Sequence, residues 1–199
     1  MKNHTFALVL AAVASVLAGR VACPADAVGT LSIRADEIGK CGLGADTVSR
    51  MLALDATTFD QSLQGFRLLG ARQCYVDAAL MIDLYLTQNS EKLEQRSYNI
   101  MKFHAGQMYA YSSAALYPVA VSRMQESVSD LSSPNWRAYV AATVAYLRRD
   151  LAALKMQRTV LAATSDGQAE VPNMVVVDRL KKCFDRPYAE AYSPQLCLL

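Results

Sequence analysis

Histidine is nearly missing from this chain: there are two in 199 residues, His4 and His104. That shortage leaves no set of imidazoles for a metal centre, and no two of the five cysteines stand at the short spacing of a zinc knuckle. No metal and no other cofactor is expected. Charge of one sign is also lacking. Lysine and arginine number 20 against 18 acidic residues, a formal charge of +2, so nucleic acid would find no continuous basic field. The one long apolar run, Phe6 to Ala18, is closed by Gly19 and Arg20 short of the roughly 20 residues that a membrane span requires. No transmembrane anchor is therefore expected in the mature chain. Phosphate-binding loops, dinucleotide fingerprints and metalloprotease helices are absent. β-Branched residues are too scattered for strands, and their one dense cluster, Val175 to Val177, continues into a helical pattern ending at Cys183.

What stands at the start is informative. Lys2, the apolar run, small residues and Ala25-Asp26-Ala27 read as a secretory signal peptide over residues 1–27. The protein is thus expected to be exported, to a periplasm or beyond the cell. A nearer cleavage signal, Val16-Leu17-Ala18, would leave five cysteines, whereas cleavage after Ala27 leaves four, an even number that can oxidise completely outside the cytoplasm. Arg20 disrupts the apolar box that lipid attachment at Cys23 would need. About 170 residues remain after processing, enough for one domain with its own core.

Residues 28–45, carrying Gly29, Gly39, Gly42 and Gly44, read as an irregular lead, and 46–199 as a single all-helical domain. Asp46 is placed to cap a first short helix ending near Leu54. Phe59, Leu63, Phe66 and Leu69 form one helical stripe closed by Gly70, and Cys74 opens a partner with Tyr75, Ala78, Ala79, Ile82, Tyr85 and Leu86 on one face. A helix through Leu93, Ile100, Phe103 and Gln107 runs to about Tyr111, and Ser112-Ser113-Ala114 turns the chain. Pro118 is tolerated only in a first turn, which sets the next helix start near Tyr117. Ser133-Pro134 and Asp150 mark two further starts, Ser165-Asp166-Gly167 a stop, and Val176, Leu180 and Cys183 a last helix. Short turns between such helices favour stacked antiparallel hairpins, here 58–88, 90–129 and 134–164.

Cys183 and Cys197 enclose 13 residues with Pro187 and Pro194 among them, a loop whose closure is worth roughly 3 kcal/mol. These two are expected to pair and tether the C-terminal tail, leaving Cys41 to pair with Cys74.

Catalytic signals are thin. His104, the one histidine left after processing, has no carboxylate or nucleophile near it in sequence to make an acid–base constellation. The pairs Glu91 with Glu94 and Asp178 with Asp185 read as solvated helix faces, not as glycosidase carboxylates. No catalytic residue is assigned. Ten tyrosines are the larger resource: helical spacing places Tyr75, Tyr85, Tyr117 and Tyr139 in the core and offers Tyr98, Tyr109, Tyr111 and Tyr146 to a groove.

At matching places in the three hairpins stand Tyr75-Val76-Asp77-Ala78, Tyr117-Pro118-Val119-Ala120 and Leu151-Ala152-Ala153-Leu154, spaced 42 and 34 residues apart. With Ala105-Gly106 followed by Tyr109, they resemble divergent tetratricopeptide repeats, whose period is about 34 residues. The segments FHAGQ at 103–107, WRAYVAATVAYLRRD at 136–150 and CFDRPYAEAYSPQLC at 183–197 are also similar to a group of uncharacterised exported bacterial proteins, a resemblance that implies a domain with a tethered tail and no assigned reaction.

The reading that follows is a non-catalytic exported helical-repeat protein. It would bind a protein or peptide through a concave groove presenting Asn99, His104, Gln107, Tyr111 and Thr143. The alternatives are a hydrolase of an envelope polymer using His104 as acid or base, and a purely structural envelope component.

Overall fold

Side chains that satisfy free backbone amides set where the helices begin. Ser133 accepts from the Trp136 amide and Asp150 from the Ala153 amide, so α7 (Pro134–Leu147) and α8 (Leu151–Ala162) start where the sequence places them. Pro118 lies in the first turn of α6 (Tyr117–Glu126), where a missing N–H costs nothing. The computed structural model describes residues 41–164 and 171–199, all within a unit spanning 33–199. The expected signal peptide over 1–27, residues 28–40 of the expected lead and the expected stop at 165–167 lie outside the described residues.

The other helices are α1 (Ala45–Leu52), α2 (Ala56–Gln61), α3 (Arg67–Ala71), α4 (Tyr75–Asn89), α5 (Gln95–Ser112), α9 (Met174–Lys182) and α10 (Tyr188–Tyr192). The described residues contain no strand, and the fold class is all-α as expected. Two helix starts differ from expectation. Asp46 falls inside the first turn of α1, behind an N-cap at Gly44 that offers no side chain, so it can favour the positive helix end but does not cap it. The stripe Phe59-Leu63-Phe66-Leu69 is not one helix. Ser62 turns extended, its hydroxyl donates to the Thr58 carbonyl, and α2 and α3 are separate short helices. Phe59, Phe66 and Leu69 are buried, but Leu63 is 65 % exposed. Gly65 permits the fold-back, because a Cβ there would lie 1.9 Å from the Phe59 carbonyl oxygen. Gly70 sits within α3, and the left-handed residue that ends it is Gln73.

Helix α5 is the hub. It packs along α4 on one side and α6 on the other, and it contributes Met101 and Ala105 to a core shared with α1–α4. Phe103, Tyr109 and Ala110 face the second core, built with α6–α10. Helices α7 and α8 pair with each other, and α9 rests on both. The pairs α5 with α6 and α7 with α8 correspond to the expected units 90–129 and 134–164; the expected 58–88 unit instead splits, and α4 takes α5 as its long neighbour. Gly106 lets α5 and α6 approach closely: a Cβ would stand 2.6 Å from Met124 Cγ and 2.8 Å from the Ala120 carbonyl.

Both expected disulfides are present, Cys41 with Cys74 and Cys183 with Cys197. The tail is more than tethered. After Cys183 the chain forms α10, whose Tyr188 and Ala191 are fully buried against α5–α7. The Tyr188 amide donates to the Tyr117 hydroxyl at 2.9 Å, and Tyr146 and Arg149 donate to the carbonyl of Arg186.

Candidate functional site

The five residues expected to share one groove do not meet on one surface. Thr143 is wholly inside, donating to the Tyr139 carbonyl one turn earlier in α7. Gln107 is buried and donates to the Tyr188 hydroxyl at 3.2 Å. Tyr111 packs with Tyr75, Tyr188 and Tyr192, and burial pushes its hydroxyl far above the usual range. Those three belong to the interior that receives the tail, which corrects the groove reading for them. Tyr109 and Tyr146 are likewise buried, while Tyr98 is half-buried beside Lys102. Of the tyrosines assigned to the core, Tyr85, Tyr117 and Tyr139 are buried and Tyr75 is partly so.

His104 stands apart from that interior on another face of α5. Its Nδ1 lies 2.6 Å from Asp60 Oδ1 at the end of α2, and its ring tilts against Phe66 at 5.9 Å. The Arg67 guanidinium donates to the Asp60 carbonyl, and Gln61 to the other carboxylate oxygen. The carboxylate that orients the histidine is therefore 44 residues away in sequence and brought in by the α2–α3 fold-back. A histidine–aspartate pair of this kind fixes the ring and its tautomer.

A second buried polar group braces the hub. Asp83 on α4 receives the Tyr109 hydroxyl at 3.2 Å and the Arg123 Nε at 3.1 Å, while Arg123 and Lys102 also hold Glu126. Burial raises the Asp83 carboxyl above its usual value, opposed by Arg123; the neighbouring cations and Ser122 hold Glu126 below its own. These charges cross-link α4, α5 and α6.

Asn99, of the expected groove residues, lines a cleft. Three helices, α5, α7 and α9, begin around a cleft of about 750 Å³. Its apolar wall is Ile100, Leu131, Trp136 and Pro172; its polar lining is Gln95, Asn99, Ser129, Ser132, Asn135 and Thr164. Gln95 donates to Asn99 at 2.7 Å and Asn99 to the Ser129 hydroxyl at 3.2 Å, while Asn135 donates to Thr164 at 3.2 Å. The Trp136 indole donates to the Ser127 carbonyl at 3.0 Å and meets Phe103 edge-on at 5.1 Å, so the ring is held in place. Asn173, at the rim, adopts a left-handed backbone (φ 64°) that asparagine tolerates better than most residues. Arg96 is the single charged residue in the described lining.

The one triad of possible metal ligands among the described residues, Cys41, Cys74 and Asp77, has both sulfurs in a disulfide. Asp178 pairs with Arg158, so it serves as half of an ion pair between α8 and α9. Comparison with protein-family models, with curated proteins and with solved structures gave no match. Function is therefore read from the geometry of this chain alone.

Sequence reasoning missed Asp60 and most of the cleft. The helix-start signals at Ser133-Pro134 were visible, but nothing in sequence places Asn99, Trp136 and Asn173 around one opening.

Proposed function

We propose that this chain is an exported, non-catalytic binding module of the cell envelope that holds a segment of another envelope molecule in the cleft where α5, α7 and α9 begin. The observation that carries the reading is the cleft itself. It has the volume of a ligand site, a fixed aromatic wall and a lining of amides and hydroxyls. Two disulfides in a chain of this length suit an oxidising compartment. A divergent tetratricopeptide-like architecture remains part of the reading, supported by the paired helices α5–α6 and α7–α8 and by the close approach at Gly106.

Site-specific photo-crosslinking tests it. A crosslinking residue at Leu131, which is 86 % exposed on the cleft wall, should yield a discrete adduct in the native envelope, while one at exposed Leu63 on the α2–α3 turn should not. Equal labelling from both positions, or none from Leu131, would reject the cleft as the binding site.

The His104–Asp60 pair supports a second reading, an envelope-polymer hydrolase with His104 as acid or base. Turnover of envelope polymers that persists unchanged in His104→Ala and Asp60→Asn would remove it.

A further inference from the structure

Resting on the binding-module reading, we infer that the cleft takes a saccharide segment. The argument starts from charge. Arg96 is the only ionised side chain in the described lining, so ion pairing is a minor part of what these residues offer a ligand. Carboxamides and hydroxyls make up the polar part instead. A carboxamide offers an acceptor oxygen and two N–H donors side by side, and a hydroxyl both gives and takes a hydrogen bond. Such groups match a ligand whose rim is itself made of hydroxyls.

The internal bonds of the lining leave that capacity in place. Gln95 spends one N–H on Asn99, Asn99 one on Ser129, and Asn135 one on Thr164, so each amide keeps further donor or acceptor sites. These same bonds fix the amides in position, which lowers the cost of ordering them when a ligand arrives.

The apolar wall supplies the other half of the match. A pyranose ring has a flat C–H face as well as a hydroxyl rim, and an immobilised indole is a suitable surface for the former. Trp136 is immobilised by its bond to Ser127 and its edge contact with Phe103. Cleavage is not part of the inference. Hydrolysis of a glycosidic bond generally requires two carboxyl groups, and the described lining has none.

Trp136 is the only tryptophan in the chain, so its emission reports on this cleft alone. The oxidised full domain would be titrated with tri-N-acetylchitotriose, maltotriose, trigalacturonate and a blocked tetra-alanine peptide. The expected result is a saturable change in emission with at least one saccharide and none with the peptide. Asn135→Ala and Gln95→Ala, both at the cleft surface, should each weaken that saccharide at least tenfold while leaving a single cooperative unfolding transition and the native helical circular dichroism. Indole N–H shifts in NMR provide a second reading of the same titrations. If no saccharide saturates either signal, or if the variants bind as the parent does, the saccharide inference is overturned. Saturation by the peptide alone overturns it too, yet leaves the binding module standing; a silent Leu131 crosslink removes the module itself.

Discussion

The carboxamide of Gln107 donates to the hydroxyl of Tyr188 at 3.2 Å, joining the middle of α5 to a helix 81 residues later, with both groups shut off from solvent. Because the Tyr188 backbone amide also donates to the Tyr117 hydroxyl, Tyr188 is the point where the tail enters the core. Tyr188→Phe should cost about 1–3 kcal/mol by leaving the Gln107 N–H unpaired, and Tyr188→Ala about 3–5 kcal/mol through the cavity as well. A double-mutant cycle with Gln107→Ala, read by urea unfolding, should give a coupling of at least about 0.5 kcal/mol. Additive losses would mean that the two groups do not act together.

Gly106 sets the distance between α5 and α6. Gly106→Ala should destabilise by about 1–3 kcal/mol, since its methyl group meets the Ala120 carbonyl, which can give way only if the helices part. Gly44→Ala is the control, because a Cβ there meets nothing within 4 Å. Equal melting temperatures for the two variants would contradict the close approach.

Alkaline pH should unfold the domain steeply. Burial raises the hydroxyls of Tyr109, Tyr111, Tyr139 and Tyr188 above their usual value, and that of Tyr146 to about 12. Above about pH 10 the unfolded chain loses those protons while the folded one keeps them, so stability falls as pH rises. Tyr146 alone contributes about 1.4 kcal/mol per pH unit between pH 10 and 12. Below pH 10 these groups are neutral in both states and add no pH dependence. Tyrosinate absorbance should therefore rise together with the loss of helical circular dichroism; ionisation of all ten tyrosines in an intact fold would be the contrary result.

The two disulfides should contribute separately. Replacing Cys183 and Cys197 by serine should cost about 3 kcal/mol, and replacing Cys41 and Cys74 somewhat more, since the loops closed span 14 and 33 residues. Guanidinium unfolding of the oxidised and doubly substituted proteins measures both. A loss near zero for either pair would show that packing alone holds that segment.

Local chemistry is what the sequence made legible. Ser133-Pro134, Asp150 and Pro118 act within one turn of themselves, and the helices begin there. The Cys183–Cys197 bridge followed from loop length, and Cys41–Cys74 was the pair that remained. The Leu63 stripe misled because its spacing fits a helix, while the deciding facts, the Ser62 hydroxyl on Thr58 and the contact of Gly65 with Phe59, are contacts that periodicity does not encode. Groove residues were misplaced for a related reason. α7 buries Ala138, Tyr139, Val140 and every residue from Ala142 to Leu147, so it has no polar face from which an outward direction could be read, and Thr143 sits inside. The His104 partner, Asp60, and the cleft around Trp136 are products of tertiary folding and leave no local trace.

The docking of α10 also bears on the order of events as the chain is made. A polypeptide delivered from its N-terminus presents α5, α6 and α7 before Tyr188 exists to fill the space between them. Until α10 emerges, Gln107 and the hydroxyl of Tyr117 lack Tyr188 as a partner and the aromatic surface that receives it stays open to solvent or to other chains. Filling of the space between these helices thus waits on α10, and the Cys183–Cys197 bridge closes only after it.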